Sequence, residues 1–113
     1  MITIDALKAA GANTDEGLAR CMNNEAFYLR MVGMALADEG YEKLAEAVRR
    51  GDLNEGFERA HALKGILSNV SLTSLAEPVI EITEDLRDRK EKDYSELLEK
   101  IASEVAKYRA LAE

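Results

Sequence analysis

The run Leu53-Asn54-Glu55-Gly56-Phe57-Glu58-Arg59-Ala60-His61-Ala62-Leu63-Lys64-Gly65-Ile66-Leu67-Ser68-Asn69-Val70 places Leu53, Phe57, Ala60, Leu63, Leu67 and Val70 at helical spacing. Such spacing lines one face of an amphipathic helix. Asp52 with Glu55 three residues on is a start signal, and Gly51 just ahead is a stop for whatever precedes it. At about 100° per residue, His61 lies roughly a third of a turn from the centre of the apolar stripe. Gly65 and Ser68 share its exposed flank. Lys64 falls between that flank and the buried face, where a long stem can lie on apolar surface and keep its ammonium in water.

Working outward, the following segment carries Leu72, Leu75, Val79, Ile82 and Leu86, a three-four alternation suited to antiparallel packing. Pro78 is harmless there only within a first turn, with Ser74 and Glu77 capping a start just before it; otherwise a kink is expected. A last helix begins near Asp93 and shows Tyr94, Leu97, Leu98, Ile101, Val105 and Tyr108. Upstream, Asn24 opens a helix with Phe27, Met31, Met34 and Ala35 on one face. Gly40 interrupts it, and Tyr41, Leu44, Ala45 and Val48 resume, as one kinked helix or as two. Two short pieces come first: Thr3 to Ala10, closed by Gly11, and a second opened by Asn13 with Glu16 and running to about Arg20. The tyrosines and methionines lie on these stripes and read as core filler. Short connections between four longer amphipathic helices make neighbours antiparallel. The expected fold is all-α: an up-down four-helix bundle with short additional N-terminal helices, in one domain over residues 1–113.

Composition narrows the function. Fifteen basic against twenty-two acidic residues leave a formal charge of −7, the opposite of the basic stripe that nucleic-acid binders show. Arg49-Arg50 and Arg87-Asp88-Arg89-Lys90 are short clusters, read as solvated helix-end cations. No apolar run nears membrane-spanning length, and the start lacks a signal-peptide pattern, so a soluble cytoplasmic protein without membrane contact is expected. One cysteine, Cys21, excludes an intramolecular disulfide and reads as a small buried apolar residue. The chain has no G-x-G-x-x-G or Walker string, so no nucleotide cofactor is expected.

The chain has a single histidine. A neutral imidazole can attack phosphorus and hold the group as a phosphoramidate, dividing one transfer into two. Such a carrier needs an exposed ring, a nearby cation and room for another protein's backbone. His61, Lys64 and Gly65 lie on adjoining turns and meet these needs on spacing. Glycine inside a helix costs about 1 kcal/mol against alanine, which invites a reason beyond stability. Two other readings stand beside this one. Glu58-x-x-His61 has the spacing of bundle di-iron sites, but those need two such motifs and further inward carboxylates, so no metal is expected. In the other, the chain is a non-catalytic helical adaptor that binds a protein partner, and His61 is incidental.

The run Ala60-His61-Ala62-Leu63-Lys64-Gly65-Ile66-Leu67-Ser68-Asn69-Val70-Ser71-Leu72-Thr73-Ser74-Leu75 resembles the histidine-containing phosphotransfer domains of two-component phosphorelays. Asn13 to Arg20 ahead of the Phe-Tyr-Leu helix, and Gly51-Asp52 ahead of the histidine helix, resemble the family too, so the similarity extends from about residue 12 to 89. The resemblance implies His61 as phospho-acceptor and Lys64 as its electrostatic support. It implies a response-regulator receiver domain docking around Glu58, Ala62, Gly65, Ser68 and Leu72, with a sensor or hybrid histidine kinase upstream, and no enzymatic activity of the chain's own. The chain itself is expected to be a monomer. Two positions depart from the family pattern: Ile66, where a small residue is usual, and Ser71, where a glycine is usual.

Overall fold

The computed structural model describes all 113 residues and contains seven helices: α1 (Ile4–Ala10), α2 (Thr14–Arg20), α3 (Glu25–Ala37), α4 (Gly40–Arg49), α5 (Leu53–Asn69), α6 (Thr73–Arg87) and α7 (Ser95–Ala110). The last four form the bundle, with α5 packed between α4 and α6, and α6 carrying α7. Short turns join α4 to α5 to α6, which makes these neighbours antiparallel. One core of 24 buried residues runs from Leu7 to Tyr108.

Four helices start on a side-chain cap, three at the expected residues Asn13, Asn24 and Asp52 and one at Thr3, which reads from sequence as the first residue of its helix. Thr3, Asn13, Asn24 and Asp52 each accept a bond from the backbone N–H three residues on, at 3.0–3.2 Å. These bonds satisfy donors that a helix start leaves free. Glu16 does not complete a reciprocal box; its carboxylate accepts from Ser71 Oγ at 2.8 Å instead. Gly11 and Gly51 sit in the left-handed region at φ 113° and 82° and close α1 and α4.

The segment around Gly40 is two helices. Asp38 is extended, and its Oδ1 accepts from Gly40 N at 2.6 Å, starting α4 afresh. Arg109 of α7 holds this turn from the other side, donating to Leu36 O at 2.8 Å, to Asp38 O at 3.3 Å and to Glu42 at 2.8 Å. The Arg109 guanidinium holds the Glu42 carboxyl below its ordinary range.

Two expectations about α3 and α6 need correction. The inward face of α3 is Tyr28, Val32, Ala35 and Leu36, whereas Phe27 is 48% and Met34 60% exposed. The true stripe is the expected one advanced by a residue, about 100° of rotation. Tyr28 sets it: its hydroxyl donates to Val70 O at 2.8 Å, and its ring fills the space over Gly17 that a Cβ would occupy. Met34 is a surface residue for this reason, Met1 and Met22 are exposed as well, and all four tyrosines are core residues, so the core-filler expectation holds for the tyrosines and fails for these three methionines. In α6, Ser74 does not cap. Its hydroxyl donates to Ala10 O at 3.2 Å and meets Tyr108 Oη at 2.7 Å. The helix starts earlier, at Thr73, because Ser74 N finds Gly11 O at 3.3 Å and no side-chain cap is required. Pro78 thus lies in the second turn, buried, where it removes one backbone donor.

At the far end of α6, Asp85 accepts from Lys92 at 2.9 Å and Lys90 at 3.4 Å, and the Lys92 contact above all holds its carboxyl below the ordinary range. The chain ends adjoin: the Met1 ammonium lies 3.3 Å from Ala112 O and 3.4 Å from Glu113 O.

Candidate functional site

Leu63 and Leu67 turn into the core with Ala60, which aims the opposite flank of α5 at solvent. His61 is on that flank and exposed, as are Glu58, Ala62, Gly65 and Ser68. A Cβ built on Gly65 meets nothing within 4 Å, so no internal packing requires glycine there. Gly56, one face round on the same helix, is different: a Cβ there would come 3.1 Å from Val48. Lys64 is half-buried along its stem, and its Nζ lies 3.9 Å from Glu84 Oε2 on α6. The same carboxylate oxygen takes Arg87 Nη2 at 3.3 Å.

Leu72 departs from expectation. It is fully buried at the turn between α5 and α6 and offers no surface to a partner. The preceding Ser71 is what turns it inward. Ser71 has φ 54°, with Ser71 N bonded to Ser68 O and Leu72 N to Leu67 O, a closure in which the chain reverses through a left-handed residue. The backbone conformation that glycine would favour is thus kept by serine, whose hydroxyl bond to Glu16 offsets part of the cost. Ile66 is partly buried against the core, which accounts for a larger side chain at that position.

Spacing alone missed three groups beside the histidine. Phe57 stacks on His61, ring centroids 5.6 Å apart and planes 23° from parallel. Arg87 Cζ and Arg89 Cζ lie 5.1 and 4.9 Å from the Phe57 centroid. Phe57 reads from sequence as stripe and the arginines as solvated helix ends; the contact between α5 and the end of α6 is long-range and leaves no local signal. The result is a cationic margin on one side of an exposed imidazole, in a chain of net charge −7. No group of three or more His, Cys, Asp or Glu side chains converges to hold a metal, and Glu58 is exposed to solvent with His61.

A family model for the Hpt domain matches residues 34–111. The chain belongs to the Hpt domain family. The matched segment of the Hpt domain takes in α4 to α7 and the end of α3, so the whole bundle and the exposed flank of α5 lie inside it. Hpt domains serve phosphotransfer in two-component systems, as carriers and not as kinases. No helix of this Hpt domain is long and apolar enough to cross a membrane. No curated protein and no solved structure matches the chain.

Proposed function

We propose that residues 1–113 act as one monomeric, cytoplasmic phosphocarrier in which His61 exchanges a phosphoryl group with the aspartate of a response-regulator receiver domain. The observation that carries this reading is the exposed imidazole with Lys64 one turn away and open space over Gly65. A ring nitrogen of neutral His61 attacks the phosphorus of the receiver's aspartyl phosphate. The N–P bond forms, the acyl P–O bond breaks, and the carboxylate leaves; the proton on the other ring nitrogen passes to water. The reverse step recharges the receiver. Lys64 supports the phosphoryl oxygens as a mobile point charge. Glu58, Ala62, Gly65 and Ser68 form the surrounding contact surface, and the basic margin beside His61 is complementary to the acidic site of a receiver. The phosphoryl group originates with a separate sensor or hybrid histidine kinase.

Incubation with a phosphorylated receiver tests this. Label is expected on the chain in acid-labile, alkali-stable form. His61→Gln should take no label yet fold normally, because the site is exposed, and Lys64→Ala should slow transfer by about tenfold or more. Label on Ser68 or another hydroxyl, or a His61→Gln chain that still carries the signal, would overturn the reading in favour of another acceptor or a passive adaptor.

A further inference from the structure

An imidazole on a helix flank turns about two side-chain bonds, and in-line attack on phosphorus uses only a narrow part of that range. In this chain something beside His61 restricts it. Phe57, one turn earlier on α5, stacks on the ring at 5.6 Å. Phe57 is itself held from α6: Arg89 lies over it at 4.9 Å and Arg87 at 5.1 Å. Arg89 is fixed in turn. Its Nε donates to Asn54 Oδ1 at 2.6 Å, and its Nη1 to Leu86 O at 2.7 Å and Arg87 O at 3.2 Å. It occupies the left-handed region at φ 52°, an unfavourable conformation for a side-chain-bearing residue. Glycine would be the easier choice for the backbone at that helix end; the arginine there bonds the last carbonyls of α6 and also reaches across to Asn54 and Phe57 on α5. Arg87 is anchored through Glu84, the carboxylate that also faces Lys64. Both guanidinium groups near the ring are thus tied to the bundle.

We propose that Phe57, backed by the guanidinium groups of Arg89 and Arg87, is a positioning residue that holds the His61 imidazole in its transfer-competent orientation. The consequence for transfer rests on His61 being the phospho-acceptor; the orientation itself does not. Phe57 makes no contact with the phosphoryl group. It leaves the ring edge free and limits how the ring swings, so its effect belongs in the rate of transfer at saturating partner, not in partner affinity.

Because the chain has one histidine, its imidazole resonances are assigned without further variants. The test uses the full chain with Phe57→Leu, Arg89→Gly and Phe57→Tyr. Leu keeps apolar cover and loses the ring; Gly relieves the left-handed backbone and loses the guanidinium. In Phe57→Leu the His61 ring-proton resonances should move downfield as the ring current is lost, and in Arg89→Gly they should shift toward the values of a freely turning side chain. Phosphoryl uptake from phosphoramidate, and transfer at saturating phospho-receiver, should fall about tenfold in both, with half-saturation unchanged in Phe57→Leu. Thermal unfolding of Arg89→Gly should stay near that of the native chain, because relief of the left-handed backbone offsets the bonds lost, and Phe57→Tyr should keep both resonances and rate native. Unmoved His61 resonances in Phe57→Leu, or native transfer rates in both variants, would overturn the proposal. Failure of native His61 to accept phosphate from either donor would instead overturn the phosphocarrier reading, and the resonance shifts would still decide the positioning.

Discussion

Gly65 has no internal reason to be glycine. Gly17 faces the Tyr28 ring, Gly56 approaches Val48, and Gly11 and Gly51 need positive φ, but above Gly65 there is open space. Alanine there should stabilise the helix by about 1 kcal/mol, since glycine's extra chain entropy is lost on folding and no clash is added. If the space is kept for a partner backbone, the same variant should raise the unfolding midpoint and weaken receiver docking. Chemical denaturation and a half-saturation measurement on Gly65→Ala read the two effects separately. Opposite signs are the expected result. At this scale the layout of the candidate site was largely legible: His61, Lys64, Gly65 and Ser68 lie within about two turns of one helix, and their relative placement follows from helical period alone. Leu72 was not legible, because its direction depends on Ser71 adopting a left-handed turn that a serine does not announce.

The helix ends share one closure. After α1, α2, α4, α5 and α6, two successive backbone N–H groups return to the last turn through a left-handed residue, which is Gly11, Met22, Gly51, Ser71 and Arg89 in order, with Asn23 left-handed as well after Met22. Glycine takes only two of the five places. Ser71 and Arg89 use their side chains, through Glu16 and Phe57. Met22 is 90% exposed and makes no such use of its own. Met22→Gly should therefore stabilise the protein by about 1 kcal/mol, because it relieves backbone strain while the side chain it removes packs against almost nothing. A higher midpoint in urea would show it. Starts were more legible than ends, because a capping side chain and its N–H are three residues apart. The face of α3 was not legible: apolar residues surround Glu25–Ala37 so evenly that period alone cannot orient it, and Tyr28 over Gly17 makes the choice. Pro78 misled for a related reason, since the donor that starts α6 correctly is satisfied by Gly11 O, far away in sequence.

At the level of the whole chain, the core is continuous from α1 to α7, and contacts distant in sequence shape both the bundle and the surroundings of His61. Arg109 ties the end of α7 to the α3–α4 turn; Arg89 ties the end of α6 to α5. The bundle follows from stripe periodicity and short turns, so it could be anticipated. The clamps follow from which helix ends meet, so they could not. The meeting of the Met1 ammonium with the Ala112 and Glu113 carbonyls has a consequence for connectivity. Residues 1 and 113 can be joined by a few flexible residues and the chain cut between the exposed Glu91 and Lys92 without moving any helix. Such a circular permutant should give the native far-ultraviolet spectrum and label His61 at the native rate, because the order in which the helices are threaded is not what holds them together.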